Sequence, residues 1–129
     1  MRPLILIAES DGEMLTLLER YLHLRGYRVD AAVGGAECLA KLADLHPDVL
    51  ILDEDLSWGG SNGVLTRMQE DDDVPLTPTL VLYHPLEPPD PAYRAVVGKL
   101  EKPFHLCELA DKAYQAVQAP PSGEGGKTP

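Results

Sequence analysis

The sequence has no apolar run approaching the roughly 20 residues that cross a bilayer. It also lacks the layout of a secretory signal, because Leu4-Ile5-Leu6-Ile7-Ala8 is closed at once by Glu9-Ser10-Asp11. No membrane partner is expected, and a cytoplasmic location is. Cysteine is scarce: Cys38 and Cys107 are far apart, neither has a second cysteine or a histidine at metal-ligand spacing, and both read as buried, reduced thiols. Positive charge is short as well. Eleven Lys and Arg stand against 21 Asp and Glu, a formal net charge of −10, so binding to a phosphate backbone is disfavoured and no nucleic-acid partner is expected. The chain shows no internal repeat.

What is present is an alternation of short apolar runs with amphipathic segments, the pattern of a parallel sheet covered by helices on both faces. The runs Leu4 to Ala8, Tyr27 to Ala31, Val49 to Leu52, Thr79 to Tyr83 and Val96 to Leu100 read as strands. Helical spacing of Met14, Leu15, Leu17, Leu18, Tyr21, Leu22 and Leu24 predicts a first helix, with Gly26 placed for a left-handed cap. A second is expected over Ala36 to Leu45, a third over Gly63 to Glu70 and a last from His105 through Val117. Between strands four and five, Glu87-Pro88-Pro89-Asp90-Pro91 opposes helix formation beyond one turn, so a degraded fourth helix is expected. Asp71-Asp72-Asp73 reads as a solvated turn. With 129 residues the chain fits one domain, 1–119; residues 120–129 have nothing apolar to bury beyond prolines and read as a disordered tail or linker, with no second domain following.

In an open parallel sheet, ligand-binding side chains collect beyond the carboxyl ends of the strands. Four segments meet there: Glu9-Ser10-Asp11, Asp53-Glu54-Asp55, Tyr83-His84 and Lys102-Pro103. The buried run Val49-Leu50-Ile51-Leu52 delivers the Asp53 carboxylate among other acids, a crowd that calls for a divalent cation or for the ammonium of Lys102. A carboxylate so placed can attack phosphorus. Equally, Asp53 could simply end its strand paired with Lys102.

Ile5-Leu6-Ile7-Ala8-Glu9, Pro47-Asp48-Val49-Leu50-Ile51-Leu52-Asp53 and Lys102-Pro103-Phe104 together resemble the receiver domain of two-component response regulators, over Leu4 to about Val117. That resemblance implies a flavodoxin-like, doubly wound α/β fold whose five-stranded parallel sheet has the order 2-1-3-4-5. It implies that Asp53 is the phosphoacceptor, that Lys102 contacts the phosphoryl group, and that Pro103 follows a cis peptide. It implies Mg²⁺ held weakly by Glu9, Asp53 and the backbone carbonyl of Asp55, with Ser10 contributing through a water. The implied partners are a histidine kinase or phosphotransfer protein and a downstream protein; a homodimer stays open.

The sequence departs from the family's pattern at several places. Ser10 stands where a second acid is usual. Tyr83 and His84 stand where a short hydroxyl and a small residue are usual, and Tyr83 is expected to pack outward or fill the pocket. His84 could face Asp53 or lie in a surface loop. Lys99 replaces the aromatic on strand five, so the switch positions Tyr83 and Lys99 hold neither customary part. From Asp53 to Gly63 the spacing is longer than usual, and Trp58 in that loop reads as a lid, a contact residue or an anchor.

Three functions follow. The first is a phosphoryl-accepting receiver that switches a protein-binding surface and is not itself an enzyme. The second is a pseudo-receiver that binds a protein without phosphate. The third, remote, is a small phosphatase using Asp53, because Asp53-Glu54-Asp55 resembles the Asp-x-Asp loop of haloacid-dehalogenase-like enzymes; Leu56-Ser57 then stands where Gly-Thr is normal. Flavin is disfavoured because Glu9 and Asp11 would repel a phosphate.

Overall fold

The computed structural model describes residues 2–57, 59–87 and 93–118. Its elements run β1 (Leu4–Ala8), α1 (Gly12–Leu24), β2 (Arg28–Ala32), α2 (Gly35–Leu45), β3 (Val49–Asp53), α3 (Gly60–Glu70), β4 (Thr79–Tyr83), β5 (Val96–Glu101) and α4 (Leu106–Gln118). The strands form one sheet in the order β2-β1-β3-β4-β5, every neighbouring pair parallel. This is the flavodoxin-like arrangement expected, with four helices among the described residues.

The apolar runs become strands because a parallel strand is covered on both faces and must be apolar on both. Central β3 is buried along its whole length, whereas the edge strand β2 is only part-covered. Successive side chains alternate between two cores. Leu6, Leu50, Leu52 and Val81 face α2 and α3, where they meet Leu42, Val64 and Met68. Ile5, Ile7, Ile51 and Leu82 face α1 and α4, where they meet Leu18, Leu22, Leu109 and Ala113. Both helical layers are thus anchored to one rigid sheet, and all the strand ends that carry polar residues open at the same edge.

Boundaries differ from the sequence reading where local hydrogen bonds win. The second strand starts at Arg28, because Gly26 at φ +97° turns the chain and the Tyr27 N–H still donates to the Leu22 carbonyl at 3.2 Å. The third helix starts at Gly60, a turn before Gly63. Gly59 and Gly60 adopt φ +93° and +64°, and the Gly63 N–H donates to the Gly59 carbonyl at 3.2 Å. A Cβ on Gly60 would come within 3.0 Å of the Glu54 carbonyl, so only glycine allows this entry. The extra residues after β3 are thereby spent on a turn of helix rather than on a longer loop. Trp58 lies outside the described residues, as do 88–92 of the fourth connection and the 119–129 segment. Among the described residues of that connection there is no helix.

One expectation is corrected: Cys38 is buried, but Cys107 is exposed. It precedes Leu109 by two positions, and a helix that buries Leu109, Ala110, Ala113 and Ala116 turns position 107 to the outside. Asp71-Asp72-Asp73 does form a turn after α3, with Arg67 paired to Asp71 at 2.8 Å.

Candidate functional site

The four polar segments converge at the carboxyl edge of the sheet. A cavity of about 470 Å³ opens there, lined by Glu9, Asp11, Asp53, His84 and Lys102 on one side. Met14, Leu17, Leu82, Pro103, Phe104 and Leu106 line the other. Asp53 ends β3 with only 3% of its surface exposed, and Glu9 follows β1 with 6%. The Lys102 ammonium lies 2.7 Å from Asp53 Oδ2 and 3.5 Å from Asp55 Oδ2. Main-chain bonds fix these positions: the Asp55 N–H donates to Asp53 Oδ1 at 2.8 Å, and the Lys102 N–H to the Tyr83 carbonyl at 2.8 Å. The Lys102–Pro103 peptide is cis.

Charge in this cavity is unbalanced. Glu9 Oε1 accepts from the Asp11 N–H at 3.0 Å, while its buried Oε2 has no hydrogen-bond partner. Burial pushes the Glu9 carboxyl up to about 7; the adjacent Asp53 adds to this, and the Asp11 N–H opposes it. Asp53 moves the other way. Burial alone would raise it, but hydrogen bonding to Glu9, Lys102 and the Asp55 N–H outweighs burial and holds it below the ordinary carboxylate value. Lys102 is likewise held above its ordinary value by Asp53 and the surrounding carboxylates, against the effect of burial. Two ionised carboxylates cannot donate to each other, so the Glu9–Asp53 contact is satisfied only by a proton or another cation between them. This orphaned oxygen and the adjacent Asp53 carboxylate are oxygen donors of the kind that suits a hard divalent cation.

Ser10 is held by main-chain bonds. Its hydroxyl donates to the Val33 carbonyl at 2.7 Å and accepts from the Ser57 N–H at 2.8 Å, tying the loops after β1, β2 and β3 together. It does not line the cavity. Asp11 lines the cavity, yet its Oδ1 caps α1 by accepting from the N–H groups of Glu13 and Met14.

Tyr83 does not fill the cavity. Its ring packs on the opposite face of the sheet, against the core under α2 and α3, with the Lys99 ammonium above it at 5.9 Å from the ring centroid. The two switch positions therefore meet each other rather than Asp53. His84 pairs not with Asp53 but with Asp55, Nε2 to Oδ2 at 3.0 Å, and its N–H donates to Glu54. Glu54, Asp55 and His84 form a second cluster, with Glu54 half-buried and the other two exposed, beside the cavity that His84 lines. The sequence reading missed its pairing because it depends on how the β3 and β4 ends lie side by side, which no local pattern encodes.

Comparison with known proteins agrees with this architecture. No protein-family model matches the sequence. The transcriptional regulatory protein TrcR of Mycobacterium tuberculosis is 32% identical over 108 residues, covering 81% of this chain and 41% of TrcR. The transcriptional regulatory protein PrrA of Mycobacterium leprae is 35% identical over 75 residues, covering 57% of this chain and 32% of PrrA. The match thus spans between about a third and two fifths of these longer relatives. Among solved structures, a CheY-like response regulator receiver domain protein from Methanospirillum hungatei superposes with a TM-score of 0.76 at 18% identity, over 92% of this chain and 95% of that one. Fold, strand-end residues and relatives together define a receiver domain of the response-regulator class. Within that class this chain is a member whose second acid, short hydroxyl and strand-five aromatic are replaced by Ser10, Tyr83 and Lys99.

Proposed function

We propose that this domain accepts a phosphoryl group on Asp53 from the phosphohistidine of a histidine kinase or phosphotransfer protein and alters its contact with a downstream protein. The observation that carries this is the 2.7 Å pairing of Lys102 with Asp53 at the end of a wholly buried strand, in a cavity that also holds Glu9. In the transfer, a carboxylate oxygen of Asp53 attacks phosphorus as the donor's P–N bond breaks, and the electron pair leaves with the imidazole. Lys102 is placed to move from the carboxylate to the incoming phosphoryl oxygens, compensating the charge they bring. Glu9, Asp53 and the Asp55 carbonyl would hold Mg²⁺, which when bound neutralises the phosphoryl oxygens. The apolar wall of Met14, Leu17, Phe104 and Leu106 beside the cavity suits a donor protein's docking. Turnover of a substrate is not part of this reading, so the domain is not an enzyme and the small-phosphatase reading falls behind it.

Among the described residues no helix is long and apolar enough to cross a membrane, and a cytoplasmic role beside a kinase follows from the reading. The relatives are named transcriptional regulators, and a net charge of −10 disfavours DNA contact by this domain itself. The test is intact mass after incubation with a small phosphodonor and Mg²⁺. Wild type should gain one phosphoryl mass and Asp53→Ala none.

A second reading, a protein-binding module that works without phosphate, is favoured by one observation. Tyr83 and Lys99 pack on each other on the face away from the cavity, so no hydroxyl and aromatic couple Asp53 to the β4–β5 face. Partner binding that is equal for wild type and Asp53→Ala, with no added mass on either, supports it.

A further inference from the structure

The cavity is larger and more apolar than a metal ion or a phosphoryl group requires. Its 470 Å³ falls in the range of roughly 300–1,000 Å³ typical of small-molecule sites. One end is acidic, where Glu9 and Asp53 meet and the buried Glu9 Oε2 lacks a donor. The other is a hydrocarbon wall of Met14 and Leu17 from α1 with Phe104 and Leu106 from the segment entering α4. Met14 and Leu17 remain 36% and 47% exposed, so apolar surface is left wet. Water satisfies neither end well, because it brings no charge to the acids and gains nothing from the wall.

We propose that this cavity binds a small organic cation, an alkylammonium-type ligand whose head enters the Glu9–Asp53 end and whose chain lies along Met14, Leu17, Phe104 and Leu106. An ammonium carries three donors and one positive charge, which supply the hydrogen bond and the counter-ion that Glu9 Oε2 lacks. The apolar arm then covers the part-exposed wall, and both ends of the cavity are used by one molecule. Charge favours this class: Asp11 and Asp53, joined by Glu9 where it is ionised, line the cavity against the single ammonium of Lys102, which is already committed to Asp53. Such a ligand and Mg²⁺ would compete for the same carboxylates, making the receiver responsive to a small molecule as well as to a phosphodonor. The binding step does not depend on phosphorylation of Asp53.

The experiment titrates n-hexylammonium chloride into the full chain by calorimetry and by backbone NMR, beside hexan-1-ol and sodium hexanoate, with and without Mg²⁺. Saturable binding of the ammonium alone is expected. It should be weakened roughly ten-fold by Glu9→Gln and by Leu17→Ser separately, and by Mg²⁺ in competition. Leu17 is on the surface, so Leu17→Ser keeps the fold even if Glu9→Gln disturbs the floor. No saturable binding, equal binding of hexan-1-ol, or binding indifferent to both substitutions overturns the proposal. A chain that binds hexylammonium but gains no phosphoryl mass upholds this inference and sinks the phosphoacceptor reading; the reverse result does the opposite.

Discussion

The Lys99 ammonium stands 5.9 Å from the centre of the Tyr83 ring, so the two positions where receivers of this class carry an aromatic and a hydroxyl are here occupied by a cation and an aromatic that hold each other. The pair lies across neighbouring strands on the face of the sheet opposite the acidic cavity. Tyr83→Ala should cost about 1–2 kcal/mol of stability, for a part-buried ring, and Lys99→Met under about 1 kcal/mol. Neither lines the cavity, so the rate at which Asp53 gains phosphate should stay within about two-fold. Urea denaturation and a phosphorylation time course check both halves; a large rate change would tie the pair to Asp53 after all.

Glu9 gives the fold an unusual pH dependence. Its carboxyl is raised from 4.5 to about 7, so the protonated form favours the folded state. That contribution is fully present below 4.5 and is lost as pH rises through about 7, lowering stability over this window by about 3 kcal/mol. Asp53 has the opposite sign: held below 3.8, it contributes above that value and is lost only in more acid solution. Glu9→Gln should flatten the profile between the two pH limits of Glu9 and be the more stable protein at about pH 8. Denaturation curves for both proteins across this window decide it, and parallel profiles would reject the account.

Lys102 is the charge partner of a carboxylate that is 3% exposed. Lys102→Gln should cost about 2 kcal/mol, because it leaves Asp53 buried with an uncompensated charge, and pairing it with Asp53→Asn should restore most of that loss. A double-mutant cycle in urea measures the coupling. Strict additivity would mean the 2.7 Å contact contributes nothing.

Ser10 links the loops after β1, β2 and β3. Ser10→Ala should cost about 1 kcal/mol by orphaning the Ser57 N–H. Ser10→Asp should tighten Mg²⁺ binding about ten-fold by adding a carboxylate beside Glu9 in the chain, at some cost to the loop ties. A Mg²⁺ titration followed by NMR at positions 9, 53 and 55 reads the difference, and an unchanged affinity would place the metal elsewhere.

The sheet was readable because its strands are buried on both faces. Val49-Leu50-Ile51-Leu52 can be little else when followed by Asp53, and the convergence of Glu9, Asp53 and Lys102 follows from the parallel topology alone. What stayed hidden depends on which loops lie beside each other. Ser10 reaches Val33 and Ser57 across 23 and 47 residues of sequence, and His84 finds Asp55 across 29. The early start of α3 was hidden for a different reason. Gly59 and Gly60 are poor helix formers, and they open the helix only because positive φ and the nearby Glu54 carbonyl admit no side chain there.

The most direct test of the central claim, that Glu9, Asp53 and Lys102 form one phosphoryl-accepting cavity, is to locate the modified residue. The chain would be incubated with a small phosphodonor and Mg²⁺, the acyl phosphate trapped by borohydride reduction, and the product mapped by peptide mass spectrometry. Reduction at Asp53 alone, abolished by removing Mg²⁺ and strongly diminished in Lys102→Gln, is the predicted result. No reduced residue, or reduction at Glu9 or Asp55 with Asp53 untouched, would contradict it.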